Sequence, residues 1–453
     1  MKISGITLIS LVVTIVVLLI LASVTINMVF SDNGIIQKAQ EVANKTQEAV
    51  NREQTELNQL YDDLENILNN TSGGSTPEEP TLPSDGTYSE EKGVNTPDLA
   101  DGQLTPIKWN GSTWVETTGS DPDWYDYSAK KWANAKTSDG SMWVWIPRFA
   151  YSITSGYHST TAGTIEVEFM KGLTNETSTG RTSFNNASGQ GNWNIHPAFN
   201  YGQTVSGIWV AKFEASSVQG NSNSSGGDNV TTKTLQVKPG VASWRYIQIG
   251  NMYTVCLNYN KTLNSHMMKN DEWGAVAYLS KSKYGKQNEE VTINSNSSYY
   301  TGGGSGNAYV TNVAQSTTGT VEGVYDMSGG SWEYVAAYVN NGNGNLNTYG
   351  SSLVSGEAKT KNVYTMGSGD TRQANYNANA GVYGDAVYET SNGYESSNES
   401  WYGDYSIFPY SSTPFFYRGG DYYGGSDTGV FCFSSYIGYW TGGDSFRPVL
   451  VAL

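Results

Sequence analysis

Basic residues are scarce in this chain. Its 26 Lys plus Arg stand against 42 Asp plus Glu, for a formal net charge of −16, and so acidic a chain lacks the cation density that neutralises a nucleic-acid backbone. Nucleic acid is therefore excluded as a partner. Charged residues of both signs amount to only 15%, below the roughly 25% of ordinary globular domains. There are three histidines, His158, His196 and His266, and two cysteines, Cys256 and Cys432, each alone in its neighbourhood. No CxxC, HExxH or His/Cys cluster offers a metal site, so no cofactor is expected. A P-loop and a nucleophile elbow are missing as well. A single Cys256–Cys432 disulfide is compatible with the sequence but not fixed by it. What is abundant is glycine (51), tyrosine (32), Ser, Thr and Asn over 453 residues, the dress of an extracellular, β-rich protein with room for two or three domains.

Residues 6–30 form an uncharged apolar run long enough to span a bilayer, and no small-x-small site ends it as in a secretory signal. Residues 31–70 carry an amphipathic helical pattern, with Val50, Leu57 and Leu64 recurring every seven positions and Leu60 and Ile67 between them. Residues 71–100, rich in Ser, Gly, Pro and acid, read as a flexible acidic linker. From 101 to 453, short aromatic and β-branched stretches alternate with Gly, Asn and Ser. Strands are expected over 143–149, 207–214 and 241–247, and a helix over 271–279. Asp121, Asp123 and Asp126 read either as a calcium cluster or as a turn.

Residues 415–450, FFYRGGDYYGGSDTGVFCFSSYIGYWTGGDSFRPVL, have an arginine-anchored segment at each end and little between them to pack a core beyond Val430, Phe431, Phe433 and Ile437. From Asp421 to Asp444 there is no Lys, Glu or Arg. Tyr and Trp supply large contact area at low entropic cost while Ser, Gly and Thr adapt their hydrogen bonds, so this composition suits a recognition surface. A glycine-rich surface loop is the alternative. Nearly every polar position holds an amino acid that an AAC or AAT codon reaches by changing its adenines alone, Cys432 among them; Trp440 falls outside that set. Strand alternation predicts Cys432 and Ser434 toward the surface and Phe431 and Phe433 inward.

The segment GVYDMSGGSWEY (residues 323–334) resembles the GxYDMxGNVWEW signature of the formylglycine-generating enzyme family, a branch of the C-type lectin-like fold. Residues 208–214, the segment around Trp273, and Arg418-Gly419-Gly420 followed by Phe446-Arg447 resemble further motifs of that family, in its order. The family's copper-holding cysteine pair has no counterpart, because Phe446-Arg447 runs straight into Pro448, and neither has the His/Glu iron site of its other branch. In this resemblance Trp332 and Glu333 are core residues and Arg418 and Arg447 structural pins. The pattern RGG, a Tyr/Ser/Gly/Asp-rich interval, then SFRPVL resembles the variable region of diversity-generating retroelement target proteins. There, a reverse transcriptase copies a template, randomises its adenines and replaces the end of the gene. The resemblance implies Asp421, Tyr423, Asp427, Cys432, Ser434, Ser435, Tyr436, Tyr439, Trp440, Thr441 and Asp444 as the diversified, ligand-facing residues. MKISG followed by ITLI is similar to a type IV prepilin leader cut after Gly5, except that Ser10 stands where that family has Glu. This implies a minor or pilin-like membrane-anchored subunit; a plain uncleaved signal anchor is the alternative.

The expected fold class is α+β: a long, pilin-like N-terminal helix followed by a C-type lectin-like, loop-rich domain over 101–453 with its variable region at 415–450. The expected protein is a non-enzymatic, cell-surface adhesin or receptor. Its partners are a changing protein or glycan ligand on another cell or virus, the membrane through residues 6–30, and other pilin subunits. A membrane-anchored enzyme of the formylglycine-generating superfamily and a fixed-specificity minor pilin are the competing expectations.

Overall fold

Residues 142–147 (MWVWIP) and 207–211 (GIWVA) contain no polar side chain, and a strand of that kind has no face to give to water. Both are buried along their whole length and pair antiparallel, with Trp145 opposite Trp209. The computed structural model describes residues 88–221 and 227–453. The chain divides into two units, Met1–Leu82 and Pro83–Leu453, and every described residue belongs to the second.

In chain order come β1 (Thr105–Trp109), β2 (Trp114–Glu116), β3 (Asn134–Lys136) and β4 (Met142–Pro147). Then follow β5 (Phe149–Ser155), β6 (Thr164–Phe169), β7 (Asn194–Ile195) and β8 (Gly207–Ala211). Helix α1 (Ile249–Tyr259), β9 (His266–Met267) and helix α2 (Asn270–Lys281) lead into β10 (Trp332–Val339), α3 (Gly344–Ser355), β11 (Asn362–Tyr364) and α4 (Arg372–Ala378). The remaining strands are β12 (Glu395–Ser396), β13 (Ser406–Ile407), β14 (Phe415–Arg418), β15 (Phe433–Tyr436), β16 (Asp444–Phe446) and β17 (Pro448–Leu450). One seven-stranded sheet has the order β9-β17-β8-β4-β3-β1-β2. A second runs β11-β10-β14-β15-β13-β12, with β16 pairing β10 off that path, and β6-β5-β7 form a third.

Helix α2 is buried throughout. Asp271 and Glu272 occupy its first turn and Lys281 its last, matching the helix dipole. Glu272 accepts from the Lys269 backbone N–H at 2.8 Å and meets His266 Nε2 at 2.8 Å. Helices α1 and α3 close on each other where Ser352 Oγ donates to the Gly250 carbonyl at 2.6 Å.

Several expectations are corrected here. The described residues are sheet-rich, with four helices of at most twelve residues and no long N-terminal helix, so the α+β class led by a pilin-like helix is not what the structure has. The Gly, Asn and Ser breaks of the C-terminal body leave few stretches long enough for helical periodicity. Among the described residues no helix is long and apolar enough to cross a membrane. Membrane anchoring, the pilin-like assignment and the cell-surface localisation built on them therefore find no support. The leader, the run at 6–30 and the helical pattern at 31–70 lie outside the described residues. The stretch 88–100, expected as linker, is folded: Tyr88–Ser89 pairs with Val94–Asn95, and Val94 and Asn95 are wholly buried. Residues 241–247 form no strand, because their backbone N–H groups go to separate segments, Ser243 to Tyr299, Trp244 to Ala215 and Tyr246 to Thr441. The three aspartates at 121–126 make turns: Asp121 pairs with Lys108 at 2.6 Å and accepts from the Asp123 N–H, and Asp126 accepts from the Ser128 N–H at 2.9 Å. Cys256 and Cys432 are both buried free thiols, not a disulfide.

Candidate functional site

Strands β10 and β14 pair with Tyr334 opposite Tyr417 and Glu333 opposite Arg418, and β15 extends the ladder with Ser434 opposite Tyr417 and Phe433 opposite Arg418. Side chains alternate across a sheet. Trp332, Tyr334, Tyr417 and Tyr436 therefore share one face, and Glu333, Arg418 and Phe433 the other.

The inner face is a set of buried ionic pins. Arg418 donates to Asn270 Oδ1 at 2.9 Å and to the carbonyls of Asp385 and Ala386. Arg447 grips both oxygens of Glu333, at 3.0 and 2.5 Å, and donates to the carbonyls of Ala211 and Tyr325 at 2.8 and 2.9 Å. It stands at the step from β16, beside β10, into β17, between β8 and β9, so one guanidinium ties the two seven-stranded sheets together. Glu214 and Asp326 join this cluster, and burial together with the neighbouring carboxylates pushes Glu214 up; burial also raises Asp326 and Glu333.

The outer face is aromatic. Trp332, half-buried, meets Tyr417 edge-on at 4.3 Å, and Tyr417 meets Tyr436 at 6.1 Å. The interval 421–444 brings more rings to the same region. Tyr423, 72% exposed, contacts Tyr422 at 5.0 Å, and Tyr422 contacts Tyr299 at 4.9 Å. The Arg245 guanidinium lies 3.9 Å from the Tyr299 ring and 5.6 Å from Tyr246, which in turn faces Trp440 at 6.4 Å, and Trp440 packs on Tyr439 at 4.4 Å. Tyr246 and Tyr299 hold φ of 60° and 56°, a region disfavoured for a side chain of this size. Gly438 makes the turn after β15 at φ +89°, where a Cβ would come within 2.6 Å of the Phe415 ring. A cleft of about 570 Å³ lies beside Tyr422 and Tyr423, lined also by Thr292, Ile293 and Tyr402.

Two carboxylates sit among these rings. Asp421 opens the turn that carries Tyr422 and Tyr423, its carbonyl accepting from the Gly424 N–H at 3.2 Å, and burial raises the pKa of its carboxyl. Asp444 is the ladder partner of Trp332. Burial and the Asp421 charge push it up to about 7, against the Thr441 hydroxyl, which favours its charged form. Its Oδ2 is buried without a hydrogen-bond partner.

Of the residues expected at the site, the structure brings together Asp421, Tyr423, Tyr436, Tyr439, Trp440, Thr441 and Asp444. The others are placed elsewhere. Asp427 accepts from Ser397 Oγ at 3.0 Å. Cys432 is wholly buried, its thiol pushed up by burial and by Asp404. Ser434 is on the outer face but lies covered, only 3% exposed. Ser435 is buried and bonds Thr413 Oγ1 at 3.2 Å. Ser434 thus faces outward but is covered, while Cys432, just ahead of β15, is buried where the Phe433 N–H donates to the Tyr405 carbonyl at 3.0 Å. Sequence reading missed Tyr246, Tyr299, Tyr417 and Tyr422 and assigned Trp332 to the core. The signal for two of them was present in WEY and FYR, where a ring alternates with an ion-paired or buried residue.

The fold and the face together define a sheet-based scaffold presenting an aromatic, polar-rimmed surface. Neither a protein-family model nor a curated protein matches the chain. Among the described residues no group of three or more His, Cys, Asp or Glu could hold a metal ion.

Proposed function

We propose that this chain is a ligand-binding protein whose face at residues 421–444 is diversified by adenine-directed retroelement mutagenesis, with no chemistry of its own. One observation supports the reading above others: the adenine-reachable interval delivers Tyr423, Tyr436 and Tyr439 to one surface beside the framework rings Trp332 and Tyr417, while the frame outside it is pinned by Arg418 and Arg447. The interval can vary while the pins stay. Amphipathic rings with few rotatable bonds are the usual anchors of such surfaces.

Deep sequencing of the 3′ end of the gene in a growing population tests the diversification. The expected result is substitutions confined to codons 421–444 that match adenines of a near-identical template beside a reverse-transcriptase gene. An invariant end with no template would overturn it and leave a binder of fixed specificity.

A further inference from the structure

The aromatic face has a polar floor that is not fully satisfied. Asp444 is only 6% exposed and its Oδ2 has no hydrogen-bond partner; an unpaired buried carboxylate oxygen is a costly arrangement that folded proteins rarely keep without a reason. Among the described residues, none of the groups acting on it is a cation. The groups acting on it are its burial, the Thr441 hydroxyl and the like charge of Asp421. Its own charge reaches Tyr334 of β10, Tyr417 of β14, Tyr436 of β15 and Tyr423 of the loop, and all four tyrosines are raised above their ordinary range and so are neutral at physiological pH. Arg245, the guanidinium on this face, is engaged by the Gly442 carbonyl and the Tyr246 and Tyr299 rings. Trp332 is opposite Asp444 in the ladder and its N–H donates to the Gly443 carbonyl at 2.9 Å, while the N–H of Tyr422, next to Asp421, donates to the Gly330 carbonyl at 3.0 Å, so both acids flank residues 330–332.

We infer that the Asp421–Asp444 pair is a subsite for an arginine or lysine side chain of a polypeptide partner, the cation bridging the two carboxylates against the Trp332 ring. This rests on the ligand-binding reading above and gives it a partner class. A cation completes the coordination of Asp444 Oδ2, relieves the repulsion between the acids and gains from the faces of indole and phenol rings. A guanidinium fits best, because its planar fork can serve two carboxylates while stacking on a ring. The acidity of the chain, −16 overall, favours a basic polypeptide over an anionic glycan by the same complementarity. Thr441, half-exposed, is the residue that must turn aside to admit it.

The full chain, immobilised, is panned against a histidine-free random dodecapeptide library displayed on phage, and enriched peptides are re-measured on Tyr436→Ala, Asp444→Asn and Asp421→Asn. The expected peptides share an Arg or Lys at one position, lose at least tenfold in affinity on Asp444→Asn, and bind the native chain several-fold more tightly at pH 8 than at pH 5.5, since Asp444 ionises between. Peptides that need Tyr436 but carry no common cation, or that bind Asp444→Asn and Asp421→Asn as well as the native chain, would overturn the cation subsite and leave the binding face standing. Enrichment independent of Tyr436, Asp444 and Asp421 alike would overturn both. The pH comparison uses the unmutated chain, so a variant that failed to fold would not blunt the test.

Discussion

Tyr436 is the residue at which recognition and folding separate most cleanly. It is half-exposed, on the outer face, and its one ring neighbour is Tyr417 at 6.1 Å. Tyr436→Ala is expected to weaken ligand binding by roughly tenfold or more, as for an aromatic anchor, while Tm changes by no more than a degree or two; isothermal titration and differential scanning calorimetry read the two effects. Asp444 behaves in the opposite sense. Its carboxyl is raised from 3.8 to about 7, so in the folded state it keeps a proton that the unfolded chain has lost. That contribution is present below about pH 4 and disappears as pH rises to about 7. Asp444→Asn therefore raises Tm by a few degrees at pH 8 and changes it little at pH 4, whatever it does to binding.

At the scale of elements, the short β16 and the Arg447 that follows it matter more than their length suggests. Removing the guanidinium leaves Glu333 with neither of its two charge-assisted bonds, beside Glu214 and Asp326 in the same buried cluster. Arg447→Met is expected to cost about 3–5 kcal/mol, the usual penalty for orphaning a buried ion-pair partner, read as a shift in the urea midpoint. Much of this architecture is written in local sequence. Strands β4 and β8 announce themselves as continuous apolar runs, and helix α2 as an acid-led, aromatic-rich segment; both pins at the ends of the variable interval are arginines next to Gly or Pro. What is not written locally is which face each residue of the interval takes. Cys432 and Ser435 have the composition of surface residues and are buried, Ser435 because it takes the inner face with Phe433, opposite buried Phe416, and Cys432 because it lies beside Asp404 and Tyr405 of an upstream segment. Tyr246 and Tyr299 join the face only through contacts across the fold, and no periodicity in their own segments predicts that.

For the whole molecule, buried acids dominate the response to pH. Glu389, held by the Tyr151 and Tyr278 hydroxyls at 2.8 and 2.9 Å, is raised to about 7, as is Asp444, and Asp385 and Asp404 are also raised by burial. Each adds stability at low pH that is lost as pH climbs through the interval between its unfolded and folded values. Tm is expected to fall by several degrees between about pH 4 and about pH 7. Above pH 7 the decline flattens, because Lys212, lowered by burial to about 7 among the carbonyls of Val321 and Gly323, shifts stability the other way. A melting series at constant ionic strength checks both arms. The crossing at Arg447 carries one more consequence. Synthesis proceeds from the N-terminus, and Pro448–Leu450 must slide between Gly207–Ala211 and His266–Met267 before the first sheet has all its neighbours. The keystone of the first sheet is thus translated after the segment proposed to vary. A newly randomised loop that cannot seat leaves that gap open, exposing two strand edges to the proteases and chaperones that clear unfinished chains. Under the proposed diversification, each variant would in this way be inspected by its own folding before it met any ligand.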